Sequence, residues 1–165
     1  MNPEQWGNFF VLVGGGSAAL TGLVFVAITI NLRRVAEDAT QRYRAINMLT
    51  GFTSAFLISA LALMGRQTDQ TLGIEWLITS VVAGAINSNG YIQAFRLRGS
   101  SRYALSLVRI VGGTACYLGQ IIGALMLLSG VGSGIYVAAI ALIANFIILI
   151  SGSWLLIVGT LRSPD

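Results

Sequence analysis

Five apolar runs separated by short polar connections organise this chain. They cover about residues 6–30, 45–65, 73–95, 103–129 and 135–160. Each is long enough for an α-helix to cross a hydrocarbon core of about 30 Å, which takes about 20 residues. No run shows the strict alternation of a half-buried strand. The expected fold class is therefore an all-α integral membrane protein, a single domain over 1–165 built as a bundle of five transmembrane helices.

The fourth run is the most strongly patterned. Wound at 3.6 residues per turn, it collects Arg102, Arg109, Gly112, Gly113, Cys116, Gly119, Gln120, Gly123 and Ala124 on one side. Leu107, Ile110, Val111, Leu118, Ile121, Ile122, Leu125 and Leu128 fall on the other. The small-xxx-small spacing of Gly112, Cys116, Gly119 and Gly123 predicts a helix-packing ridge, because small side chains let two backbones approach. The first run is thin on all sides at Gly14-Gly15-Gly16-Ser17-Ala18-Ala19. The fifth aligns Gly134, Ala138, Ala141, Asn145, Gly152 and Gly159. These faces point to a homo-oligomer, or to another membrane protein as partner.

The polar connections carry the remaining pattern. Asn2, Pro3 and Gln5 suit a helix start, and Trp6, Phe9 and Phe10 suit an interfacial belt. The first run lacks a basic leader and is too long for a signal peptide core, so it is read as a retained span. Asp38 followed by Gln41 predicts a capping box at the start of the second helix. Arg33, Arg34, Arg42 and Arg44 in the same connection are candidate contacts for lipid headgroups, the alternative being a topology signal alone. Arg33, Arg34, Arg42, Arg44, Arg96, Arg98, Arg102 and Arg162 would lie on one side of the membrane and Arg66 on the other. The positive-inside rule then places the N-terminus out and the C-terminus in, within a prokaryotic inner membrane.

Composition removes several function classes. The chain is 55% hydrophobic and 10% charged, with mean hydropathy +0.79, against about 25% charged residues in soluble domains. Its net charge of +4 comes from arginines placed between apolar runs, which argues for the lipid bilayer as partner and against nucleic acid. The absence of histidine removes His-ligated metal and haem and Ser-His catalysis, and the absence of lysine removes Schiff-base chemistry. Cys116 is the one cysteine and reads as a small packing residue. Glu75, near the entry of the third run, has no nucleophile–base companion. Neither an enzyme nor a bound cofactor or metal is expected.

What remains is a polar seam. Folding the chain about Gly99 brings Arg109 level with Asn89 and within a turn of Asn87, while Asn145 lies near mid-membrane and Gln120 in the outer half of the fourth helix. Arg109, Asn87, Asn89, Gln120 and Asn145 are the candidate lining of a path for ions or small solutes. The rival reading has Arg109 reaching to the cytoplasmic face and the amides tying helices together in a non-conducting interaction protein.

Overall fold

The computed structural model describes residues 3–65, 68–96 and 103–161, all in helices or the short turns joining them. The helices are α1 Pro3–Ile30, α2 Leu32–Glu37, α3 Ala39–Ala62, α4 Asp69–Arg96, α5 Tyr103–Leu128 and α6 Gly134–Leu161. Four stretches, 6–30, 39–62, 110–128 and 134–152, are long and apolar enough to cross a membrane. These are the proportions of a helical membrane protein. α4 has the length, 28 residues, but polar residues interrupt its apolar run. The capping residue Asn2, the loop arginines Arg66, Arg98 and Arg102, the tail arginine Arg162, and the side chains of Arg34 and Arg109 lie outside the described residues.

The helix ends follow from local chemistry. The Asp38 carboxylate accepts from the Thr40 backbone N–H at 2.7 Å, and Arg42 N–H donates to the Asp38 carbonyl at 3.0 Å. α3 therefore starts at Ala39, six residues before the apolar run beginning at Ala45. The reciprocal half of the expected capping box is not made, since Gln41 Oε1 has no hydrogen-bond partner. α5 stops in a Schellman turn: Gly130 takes φ 79°, its N–H donates to Leu127 O at 3.0 Å, and Val131 N–H donates to Met126 O at 2.9 Å. Only glycine adopts that φ without strain. The reversal brings α6 back along α5 after five residues, 129–133.

α3 is the central helix. It packs against α1, α2, α4 and α6, while α4, α5 and α6 follow one another side by side. Half of its apolar span is buried, against 17% of the span in α1, which lies on the outside of the bundle. A cluster of Phe10, Ile58, Leu72, Trp76, Leu127, Ile135 and Leu142 fills one end of the bundle. Val24, Met48, Phe52 and Leu149 fill the other. Large apolar side chains such as Leu12, Phe25, Ile78, Leu118 and Ile140 point outward along the helices, as expected where the surrounding medium is hydrocarbon. Hydroxyls that point outward are quenched by their own helix. Thr29 donates to Phe25 O at 2.9 Å and Ser151 to Ile147 O at 2.8 Å, each four residues back.

The ridge on α5 faces α6 of the same chain. A Cβ built on Gly112 would stand 3.2 Å from Ile148 Cδ1, one on Gly119 2.9 Å from Ala141 Cβ, and one on Gly123 2.5 Å from Ala138 N and 2.7 Å from Gly134 O. Cys116 is buried in the same row. α4 meets the other side of α5 by the same means, Gly73 lying on the turn Ala124–Leu128 and Gly84 under the Tyr117 ring. Without a hydrophobic drive between helices in lipid, such backbone approach is what dispersion forces need to hold the bundle.

Candidate functional site: an uncharged polar interior

Trp76, Ser80, Ala83, Gly84, Asn87 and Gly90 recur every three or four residues along α4, so they form one buried face. That face looks into the space between α3, α5 and α6, where two levels of polar contact form.

The first level centres on Gln120 of α5, which is 1% exposed. Its Oε1 accepts from Trp76 Nε1 and from Ser80 Oγ, each at 3.4 Å. Both bonds are long, and so weaker than the usual 2.7–3.2 Å contact. Gln120 Nε2 is buried with no hydrogen-bond partner. Phe10 caps this level by an edge-to-face contact with Trp76, ring centres 5.9 Å apart. Trp6 continues the aromatic row by stacking edge-on against Tyr136 of α6 at 4.9 Å.

The second level is anchored three residues earlier on α5, at Tyr117, and seven residues further along α4, at Asn87. Its centre is the Tyr117 hydroxyl. Asn87 Nδ2 donates to it at 3.0 Å and to the carbonyl of Ala83, also at 3.0 Å. Ser54 of α3 and Asn145 of α6 also reach the hydroxyl. Ser54 Oγ has committed its proton to Gly51 O at 2.8 Å. One oxygen thus joins four helices. Below it, Asn47 Nδ2 of α3 makes a long contact of 3.4 Å to the Asn87 backbone carbonyl, and its amide rests on Gly90. Asn87 Oδ1 and Asn47 Oδ1 are buried without partners.

Among the described residues, every buried polar side chain is Ser, Asn or Gln. With the Tyr117 hydroxyl and the Trp76 indole they offer neutral hydrogen-bond donors and acceptors and, among the described residues, no fixed charge. Among the described residues these buried groups include neither a nucleophile with a base nor an acid–base pair.

Of the five seam residues read from sequence, Asn87, Asn145 and Gln120 line this interior. Asn89 does not. It is exposed on the opposite side of α4, two residues and so about 200° round the helix from Asn87. The Ser80–Gln120 pair also sets the α4–α5 register. Following it eleven residues each way brings the backbone of Arg109 level with Tyr91, not with Asn89. The backbone of Arg109 lies about 12 Å along α5 from Tyr117. In the first connection, Arg33 is exposed and pairs with Glu37 at 3.1 Å, while Arg42 sits 5.9 Å from the Tyr43 ring centre and Arg44 is half-buried.

Tyr117 is the residue the sequence patterning passed over, because a helical wheel sorts it with neither the glycines nor the aliphatic side. A signal existed. Tyrosines in membrane helices favour the interfaces, and this one stands fourteen residues inside α5. A phenol at that depth needs hydrogen-bond partners from other helices.

The fit of Asn47 on Gly90 gives a direct check. A Cβ at residue 90 would collide with the Asn47 amide. Gly90→Ala is expected to destabilise the bundle by about 1–2 kcal/mol through overpacking, and Asn47→Ala in the same chain to recover most of that loss. Unfolding of the two single variants and the double variant in mixed micelles measures the coupling, and strictly additive losses would show that the two residues do not touch.

Comparison with protein-family models, with curated proteins and with solved structures finds no match to this chain.

Proposed function

We propose that this chain is a channel-like protein of a prokaryotic inner membrane, with five spans, N-terminus out and C-terminus in. Its path for small polar solutes runs inside each protomer. α4 is the fifth span, its polar face turned inward and its apolar residues outward. The orientation rests on the arginine bias of the connections. The observation that carries the functional reading is the row of uncharged polar side chains brought together from α3, α4, α5 and α6, with buried amide groups still unpaired at both levels. Helices held together only for stability need no unpaired amides, since each costs about 1–3 kcal/mol. An axis between protomers is a weaker candidate for the path, because the α5 ridge that argued for oligomers is occupied by α6.

The test is flux through purified protein in liposomes, with water, small neutral solutes, potassium and chloride as probes. Asn145→Ala is expected to change the flux of the permeant species about tenfold, the effect of about 1.4 kcal/mol on a barrier. A protein that passes none of these probes would end the channel reading.

A non-conducting interaction protein is the second reading, and one observation favours it. α1 turns Gly15, Ala18, Ala19 and Gly22 outward, and a Cβ at Gly15 or Gly22 would meet nothing within 4 Å. Co-purification of one defined membrane partner, lost in Gly15→Leu, would support it over the channel.

A further inference from the structure

We infer that Arg42 and the outward face of α3 beyond it hold one anionic phospholipid, with its phosphate on the guanidinium and an acyl chain along the helix. The inference requires that the chain lie in a membrane, and it is independent of whether the chain conducts.

Of the arginines that the sequence offers to lipid headgroups, the structure describes the side chains of Arg33, Arg42 and Arg44, and their surroundings differ. Arg33 is paired with Glu37 at 3.1 Å. The other acid of the connection, Asp38, accepts from the Thr40 backbone N–H at 2.7 Å. Arg44 is half-buried and stands about 200° round α3 from Arg42. Arg42 is exposed, and among the described residues no carboxylate forms an ion pair with it. Its guanidinium lies 5.9 Å from the Tyr43 ring centre. That contact is with the ring and not with an oxygen, so the planar fork of N–H donors remains available to a phosphate.

The surface beyond Arg42 suits an acyl chain. Arg42, Ile46, Thr53, Phe56 and Leu57 are exposed and recur at helical spacing, so they share one face of α3. The rise from Ile46 to Phe56 is about 15 Å, the depth of one leaflet in a hydrocarbon core of about 30 Å. Neighbouring helices flank this lane on both sides. Ser59, about 100° round α3 from Arg42, lies against Gly14 of α1. Asn47, about 140° round in the other direction, lies against Gly90 of α4. A chain laid between α1 and α4 therefore starts at the arginine. Anionic headgroup and hydrocarbon are the two halves of one molecule, and a free phosphate would meet only the first. Phosphatidylcholine fills the lane equally well but brings its own cation beside the phosphate, so net charge selects against it.

Tryptophan quenching by brominated acyl chains tests this in bilayers of phosphatidylcholine and phosphatidylglycerol, with one of the two lipids brominated at a time. Trp6→Phe with Trp154→Phe leaves the buried Trp76 as a constant background, and Ile46→Trp adds an emitter on the lane. At low mole fraction, phosphatidylglycerol is expected to be about fivefold richer at that emitter than in the bulk bilayer, the effect of one arginine on an anionic lipid. Ile140→Trp, on the exposed side of α6, should report the bulk ratio. Adding Arg42→Gln should return the Ile46→Trp protein to the bulk ratio. Arg33→Gln combined with Glu37→Gln keeps the net charge and should keep the enrichment. If Ile46→Trp fails to fold, Phe56→Trp places the emitter on the same lane. The bulk ratio at the lane emitter overturns the inference. So does an enrichment that survives Arg42→Gln, which would put the headgroup on another cation. An emitter shielded from both brominated lipids also overturns it, because a protein chain would then cover the lane.

Discussion

Gly123→Ala is expected to be among the most damaging single-methyl changes in this chain. The added carbon would stand 2.5 Å from Ala138 N and 2.7 Å from both Ala138 Cβ and Gly134 O, so two of its three nearest neighbours are backbone atoms. Backbone cannot swing aside as a side-chain tip can, and the two helices must separate along their length. The contact is mutual, since a Cβ on Gly134 would lie 2.5 Å from Gly123 O. Overpacking of a well-filled interior costs about 1–3 kcal/mol, and here the upper part of that range applies because the shift also weakens the Gly119–Ala141 contact one turn away. Gly15→Ala supplies the contrast. It lies on a helix, its Cβ would meet nothing within 4 Å, and the change is expected to be neutral or stabilising by up to about 1 kcal/mol through helix propensity. Unfolding of both variants in mixed micelles reads the two signs. Equal tolerance at the two positions would mean that α5 and α6 do not approach as described.

Tyr117→Phe carries the second large effect. It keeps the ring over Gly84 and removes one oxygen. Asn87 Nδ2 then loses one of its two acceptors, and Ser54 and Asn145 lose the hydroxyl between them. A single interhelical hydrogen bond in a membrane contributes about 0.6 kcal/mol on average and up to about 1.7. Several groups share this oxygen, so the expected loss is about 1–2 kcal/mol, with part of it from donors and acceptors left buried and unpaired. Asn87→Leu removes the neighbouring amide. In a double-mutant cycle the two changes are expected to couple by about 0.5–1 kcal/mol. Additivity within error would show that the hydroxyl is not the junction of the four helices. The same pair separates stability from function. If the interior is a path, both variants alter solute flux, whereas Gly123→Ala acts first through the amount of folded protein.

Much of the architecture is legible in the sequence. The apolar runs located the helices to within a few residues at most ends, because helix length and apolar composition are properties of contiguous residues. α3 starts at Ala39, where Asp38 marks the helix start in the sequence and ahead of the apolar run near Ala45, because its first turns are set by the Asp38 cap and not by apolar content. Periodicity also located the thin side of α5. What periodicity lacked was the identity of the neighbour. Gly112, Gly119 and Gly123 suited another copy of the chain as well as they suited α6, since small-residue spacing specifies close approach and not a partner. The interior was read in part. Asn87, Asn145 and Gln120 were singled out as polar residues in apolar surroundings, but Asn89 was included with them although it faces outward.

Local and tertiary information divide along a physical line. An all-helical chain with long apolar segments and an uneven arginine distribution follows from composition and period, which act residue by residue through solvation and backbone hydrogen bonding. Which polar groups meet depends on the lateral order and vertical register of the helices. Those are settled by glycine contacts such as Gly123–Gly134 and Gly84–Tyr117, between residues on different helices. A shift of one residue turns a side chain by about 100°, enough to carry Asn87 away from Tyr117. The convergence of Ser54, Asn87, Tyr117 and Asn145 on one oxygen is therefore a product of packing, and no pattern within a single helix contains it.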